Sequence, residues 1–298
     1  MKIGIGTAQF GLDYGVSNRQ GKTSVNEAKK IISLAAKKEI TIIDTASSYG
    51  SSEETLGKIL PKKNIFKIVT KTPTFSESIT QKDVAFLEQS FHESLLKLKQ
   101  SCVYGLMIHN ADDLLKNNSQ LLWQSMQKLK KDGLVQKIGV SAYTKNQIDL
   151  IINTFEIDII QIPINVLDQR LLKSNLIKKL KLNGIEIHAR SVFLQGLLLM
   201  PTDQLPDYFY KYKLILKKYF DTIEQNNLSK IQGALSFINN IDEIDHIIIG
   251  VCSSKQLYEI DKNIQSLPFQ ISLDFEKFSC NNEKILNPFL WQLNSKTK

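Results

Sequence analysis

The chain has 298 residues, 42% of them hydrophobic and 23% charged, a balance that allows a sizeable buried core and excludes a disordered or fibrous protein. Its net charge of +8 comes from 35 lysines and 3 arginines against 30 acidic residues, but the lysine pairs (29–30, 37–38, 62–63, 178–179, 217–218) are scattered over helix-like segments rather than massed beside aromatics, so nucleic acid is not the expected partner. No run approaches the roughly 18 apolar residues of a membrane span; the glycine-broken start MKIGIGTAQFG is not expected to serve as a secretory signal; and Cys102, Cys252 and Cys280 lie too far apart for a metal pair, so a reduced, cytoplasmic setting with no metal is expected.

Eight short β-branched runs follow one another: IGIG (3–6), ITII (40–43), FKIVT (66–70), CVYGLMI (102–108), VQKIGV (135–140), IDIIQI (157–162), IEIHA (185–189) and IDHIIIG (244–250). They are largely unbroken, as parallel strands buried on both faces should be. Helix-like stretches separate them; in SVNEAKKIISLAAKKE, Val25, Ala28, Ile31, Ile32 and Ala35 share one stripe. Ser24–Glu27, Ser51–Glu54, Thr144–Gln147 and Ser253–Gln256 fit the capping box, and Gly133 and Gly184 stand where helix ends need a left-handed residue.

Eight βα units predict a (β/α)₈ TIM barrel. The rival open sheet lacks its fingerprint, because Gly4 and Gly6 are followed by Gln9 where GxGxxG needs its third glycine. Residues 192–243 hold no strand and read as a long insertion between strands 7 and 8, with helices at 211–225 and 229–240. No linker or composition shift divides residues 1–298, so a single domain is expected.

In such a barrel the chemistry gathers where strands run into their βα loops. Those positions carry Thr7, Asp44, Lys71, His109, Ser141, Gln161, Arg190 with Ser191, and Gly250 with Ser254. The small residues of IDTASSYGSSE let the chain turn sharply after Asp44, so that Asp44 and Tyr49 face one cavity. His92 and His246 read as structural residues without partners, and His188 stays open.

The motifs GIGTAQFG (4–11), IDTASSYGSSEETLG (43–57), Thr70–Lys71, the IHN around His109, IGVSAY (138–143), Gln161, RSVFLQGLL (190–198) and IIIGVCSSKQL (247–257) together resemble the aldo-keto reductase family over almost the whole chain. The resemblance implies an NADP-dependent carbonyl reductase acting on a small-molecule aldehyde or ketone. Tyr49, Lys71, Asp44 and His109 then form the catalytic set. A free tyrosine, with a pKa of about 10, releases its proton reluctantly near neutrality. Lys71 is expected to lower that pKa, Asp44 to hold Lys71, and His109 to position the carbonyl oxygen, leaving Tyr49 as general acid.

The resemblance also implies a cofactor, NADPH with NADH as the alternative, across the barrel mouth. Thr7 and Ala8 would approach the nicotinamide, Ser141 and Gln161 its carboxamide, and Ser191, Leu194 and Gly196 the pyrophosphate, with Gly250 at the end of strand eight also among the cofactor-binding residues. Ser254, Lys255, Gln256 and Glu259 would take the adenosine end, where a helix N-terminus suits a phosphate and Lys255 favours the 2′-phosphate of NADPH. Three positions depart from the family pattern: Ala142 and Ile260 replace asparagines, and Arg190 replaces the aromatic that stacks on the nicotinamide. The charge of Arg190 would disfavour the cationic oxidised ring.

Phe10, Asp13, Tyr14, Phe193 and the 200–212 loop with Tyr208, Phe209 and Tyr210 are candidates for lining a pocket suited to a sugar-derived carbonyl compound. The same set would serve a cofactor-dependent sugar epimerase or isomerase, or a non-catalytic redox-sensing subunit. Nothing in the sequence specifies the oligomeric state.

Overall fold

The computed structural model describes residues 2–61, 65–268 and 273–293; the lysine pair at 62–63 lies outside them. Eight parallel strands, β1 (Ile3–Gly6), β2 (Ile42–Asp44), β3 (Lys67–Lys71), β4 (Val103–Ile108), β5 (Val135–Ser141), β6 (Ile159–Pro163), β7 (Glu186–Arg190) and β8 (His246–Gly250), close into a barrel in chain order. The seam joins β1 to β8 through Ile3↔Ile247 to Gly6↔Gly250. This is the expected (β/α)₈ barrel, each strand within about two residues of its sequence run.

Around it run α1 (Ala8–Gly11), α2 (Val25–Lys37), α3 (Ser52–Ile59), α4 (Gln81–Leu98), α5 (Gln120–Lys131), α6 (Lys145–Thr154), α7 (Leu176–Leu182), α8 (Lys213–Gln225), α9 (Lys230–Asn239), α10 (Ser254–Gln265) and α11 (Glu283–Leu286). The two helices α8 and α9 fill the long insertion ahead of β8. Among the described residues, no helix is long and apolar enough to cross a membrane.

The main core lies between strands and helices; α2 buries Ala28, Ile31, Ile32 and Ala35 on one stripe, as its period requires. A separate plug of Val69, Met107 and Ile159, with Tyr104 against it, fills the barrel interior. At the base, below this plug, the Glu186 carboxylate accepts from Tyr104 Oη at 2.6 Å, meets His188 Nε2 at 2.7 Å and pairs with Lys137.

Helix ends follow local chemistry, with instructive exceptions. Thr144–Gln147 forms the complete capping box, and Gly133 and Gly184 adopt left-handed φ of 75° and 72°. At Ser24 the box is half made: the hydroxyl caps the Glu27 amide, but the Glu27 carboxylate turns to α10 instead of returning to the Ser24 amide. Ser51 makes no side-chain cap because its backbone (φ −90°, ψ 17°) lies outside the extended region a capping residue uses. In the Ser253 box, Gln256 accepts from the Cys252 amide, one residue earlier than expected.

Candidate active site

Strand register brings the expected polar residues to one end of the barrel. Asp44 pairs with Gly6, Ser141 with Gln161, Arg190 with Pro163, and Gly250 with Gly6; Lys71 ends β3 opposite Met107. Asp44, Lys71, Ser141 and Gln161 are all nearly solvent-free.

The floor of the mouth is an ion pair. Lys71 Nζ donates to Asp44 Oδ1 at 2.6 Å and to the Thr45 carbonyl at 2.8 Å. Gln161 Nε2 reaches across the barrel to the same Asp44 oxygen at 2.7 Å. Burial pulls the Lys71 pKa down and the Asp44 carboxylate opposes it. Thr7 locks the other side of Asp44, its amide and hydroxyl both donating to the Asp44 carbonyl at 2.9 Å. The Thr7 carbonyl in turn accepts from the Ser52 hydroxyl. Its polar atoms are therefore committed to the scaffold, and Ala8 follows as the first residue of α1.

Tyr49 is set by a turn that only small residues allow. Ser47 binds the Lys71 carbonyl through its hydroxyl at 3.1 Å, tying the loop to the end of β3. Gly50 takes φ 53°, and a Cβ on Gly11 would stand 1.7 Å from the Tyr49 carbonyl oxygen, so α1 can lie against this loop only as glycine. The result places the Lys71 ammonium 5.1 Å from the Tyr49 ring centroid and the His109 ring edge-on to Tyr49 at 5.7 Å. The four residues singled out in the sequence do come together.

Their electrostatics differ from the expectation in one respect. The Tyr49 phenol is pushed well above the ordinary tyrosine range, first by burial and then by the Asp44 carboxylate, while the cation pulling it down is Arg190. Lys71, expected to lower it, is neutralised by Asp44 and faces the ring. His109 is pushed down to about 4 by burial and by the Lys71 and Arg190 charges, so it is neutral at pH 7; its Nδ1 shares a 3.2 Å hydrogen bond with the Ser48 hydroxyl.

Arg190 stacks on a residue not singled out in the sequence. Its guanidinium carbon lies 4.0 Å from the ring centroid of Tyr143, just past β5, and Phe289 meets that ring edge-on at 6.0 Å. Beyond it the chain is bent: Ser191, Leu194, Gln195 and Gly196 all have φ between 47° and 90°. A Cβ on Gly196 would fall 1.8 Å from the Ser17 hydroxyl, and Gln195 Nε2 donates to Tyr14 Oη at 3.1 Å, so this loop is pinned to the one after β1.

At the start of α10, Glu27 Oε1 accepts from the Ser254 amide at 2.8 Å and its hydroxyl at 2.7 Å, which holds the carboxyl down at about 2. Lys255, Gln256 and Glu259 are exposed, while Ile260 is buried.

Several expected lining residues are elsewhere. Phe10 and Phe209 are fully buried core. Tyr208 Oη donates to the Lys284 carbonyl at 2.7 Å and Phe209 packs edge-on against Trp291 at 4.8 Å, so the 200–212 loop holds the C-terminal segment. His246, expected to lack partners, lies edge-on to His188 at 5.0 Å, its register partner. With Glu186 the two form a group of metal-ligand type, in which Lys137 already neutralises the carboxylate. The strand alternation pointing His188 and Glu186 inward could have revealed this group.

A closed parallel barrel with ionisable residues gathered at its C-terminal mouth is the architecture of a small-molecule enzyme. Residues 2–278 match the Aldo/keto reductase family, and the chain belongs to it. Members are oxidoreductases of carbonyl compounds that use nicotinamide cofactors, and this chain is of that class. Among solved structures it is similar to the holo form of an aldo-keto reductase from Bacillus halodurans (17% identity, TM-score 0.73, 100% of this chain and 95% of that one). It is also similar to a glycerol dehydrogenase from Gluconobacter oxydans (20%, TM-score 0.69, 96% and 92%) and a putative aldo-keto reductase from Pseudomonas aeruginosa (21%, TM-score 0.66, 89% and 90%). At these identities the likeness is one of fold. No curated protein matches the chain.

Proposed function

We propose that the protein reduces an aldehyde or ketone with NAD(P)H, Tyr49 delivering the proton to the carbonyl oxygen. One observation carries the proposal: Tyr49 and His109 stand edge-on to each other beside a buried Lys71–Asp44 pair. The bound cofactor supplies the hydride. Tyr49 holds its proton at Oη, where burial keeps the phenol protonated until charge develops on the more basic carbonyl oxygen. Arg190 eases the phenolate that remains. His109, neutral and engaged at Nδ1 by Ser48, offers Nε2 to the carbonyl oxygen and fixes its place. Asp44 and Gln161 keep the Lys71 charge aimed.

The residues present suit the cofactor. Gln9 Oε1 is a buried acceptor without a hydrogen-bond partner, beside Gly250, where a Cβ would crowd it at 2.8 Å. Ser141 and Gln161 supply polar groups at adjoining strand ends, whereas the Leu194 and Gly196 amides of the bent 191–196 segment are already spent on the Ser191 and Phe193 carbonyls at 2.8 and 2.9 Å. At the adenosine end Glu27 occupies the Ser254 donors, which suits a ribose hydroxyl and leaves Lys255 as the group to receive the 2′-phosphate of NADPH. We infer that NADPH and NADH are both accepted, NADPH with a modest preference.

The test is reduced-cofactor consumption with a panel of aldehydes, alongside fluorescence titration of each cofactor. Turnover supports the proposal. Cofactor binding without turnover on any aldehyde contradicts it, and absence of binding removes it altogether.

A further inference from the structure

Among the described residues, Arg190 has no ion-pair partner. Its Nη1 donates only to the neighbouring Ser191 hydroxyl at 3.3 Å, and its Nη2 is buried with no hydrogen-bond partner. The Asp44 carboxylate at the mouth is committed to Lys71 at 2.6 Å and Gln161 at 2.7 Å. With His109 neutral, Lys71 has Asp44 as its ion-pair partner and feels the Glu53 carboxyl as well, whereas Arg190 has no ion pair among the described residues.

A buried guanidinium N–H left unpaired is costly, and native structures rarely tolerate one without a ligand, water or ion to meet it. Tyr143 covers one face of the guanidinium at 4.0 Å, so the free donors lie in its plane, the geometry that matches a carboxylate or phosphate in bidentate fashion. The Arg190 charge also bears on Tyr49, Lys71 and His109, so an anion seated there is close to a carbonyl held by Tyr49 and His109.

We propose that the substrate is a small carbonyl compound carrying an oxyanion, a carboxylate or a phosphate, and that Arg190 receives this group in the plane of its guanidinium while Tyr143 holds its face. This rests on the reading of Tyr49 and His109 as the pair that engages the carbonyl. It narrows the substrate to compounds whose charged group lies a few bonds from the reacting carbon, and it makes the guanidinium a selector of substrate rather than a partner of the nicotinamide ring.

Two substrate pairs test it: 4-oxobutanoate against its methyl ester, and glyceraldehyde 3-phosphate against glyceraldehyde. Wild type should favour the charged member of at least one pair in kcat/KM by about tenfold or more, as expected for a charge-assisted contact. The pair that shows the preference separates carboxylate from phosphate. In Arg190→Met the ratio should fall to about one, and in Arg190→Lys, which keeps the charge without the planar fork, it should be intermediate. No preference in either pair, or a preference that survives Arg190→Met, overturns the proposal. Calorimetric titration with succinate and with inorganic phosphate separates it from the reductase reading. Binding that Arg190→Met abolishes supports the anion site even in a protein that turns over none of the four compounds. Turnover with neither anion binding nor charge preference upholds the reductase and overturns the anion site.

Discussion

The Lys71 ammonium lies 2.6 Å from Asp44 Oδ1 with both side chains almost wholly buried, at 0% and 5% exposure. The attraction offsets two desolvation penalties, and the hydrogen bonds from Lys71 to the Thr45 carbonyl and from Gln161 to Asp44 satisfy what the pair leaves over. Removing one partner strands the other as an uncompensated charge. Asp44→Ala and Lys71→Met should each cost about 3–5 kcal/mol, and the double variant clearly less than their sum. Urea denaturation of the four proteins measures this; additive losses would mean the pair is not coupled.

His109 gives a pH signature. Its folded pKa of about 4 lies below the unfolded value of about 6.5. Between these values the unfolded chain binds the extra proton, so stability falls as pH drops from about 6.5 to 4, by at most about 1.4 kcal/mol per pH unit for this group. His246, also near 4, adds the same trend, so the His109 share is the difference between wild type and His109→Asn. Turnover should likewise show no inflection near pH 6.5. An inflection there that His109→Asn removes would mean the ring is protonated at ordinary pH.

Much of this site is legible in the sequence because strand ends are. The β-branched core Ile68–Thr70 of FKIVT places β3 to within one residue and Lys71 at its end; IIDTASSYG does the same for Asp44 and Tyr49. What the sequence hides are contacts between distant loops. Glu27 reads as the second half of a local capping box, yet its carboxylate binds Ser254, 227 residues away. Arg190 is visible at a strand end, but nothing in the run around Tyr143 announces that the two stack. Phe10 and Phe209 read as loop residues in the sequence but enter the core, because each lies on a short helical turn (Ala8–Gly11 and Asp207–Tyr212) that directs its apolar side chain inward.

With the adenosine end at α10, as proposed, the Glu27 carboxylate held by Ser254 would oppose the 2′-phosphate that Lys255 would receive. Lys255→Ala should weaken NADPH about tenfold while leaving NADH within about twofold, because only the former carries the 2′-phosphate. Glu27→Gln should shift the ratio the other way, tightening NADPH relative to NADH by removing a like charge. Dissociation constants for both cofactors measure it; equal changes for the two would place the 2′ position elsewhere.

The C-terminal segment is held by Trp291, whose indole packs on Phe209 and donates to the Ile285 carbonyl at 3.1 Å. Trp291→Ala should destabilise the protein by about 3–5 kcal/mol. Because Phe289 from the same segment meets Tyr143, it should also loosen the Arg190 stack. The two effects are read by thermal unfolding and by a raised KM for the preferred carbonyl compound; an unchanged KM would separate this segment from the mouth.

The most direct test of proton delivery by Tyr49 is Tyr49→Phe, which removes one hydroxyl and keeps the ring that faces Lys71 and His109. The measurement is kcat/KM for carbonyl reduction together with the dissociation constant of the reduced cofactor. The expected result is a fall in kcat/KM of at least about 10²-fold with cofactor affinity within about threefold of wild type. Near wild-type turnover in the phenylalanine variant would contradict it.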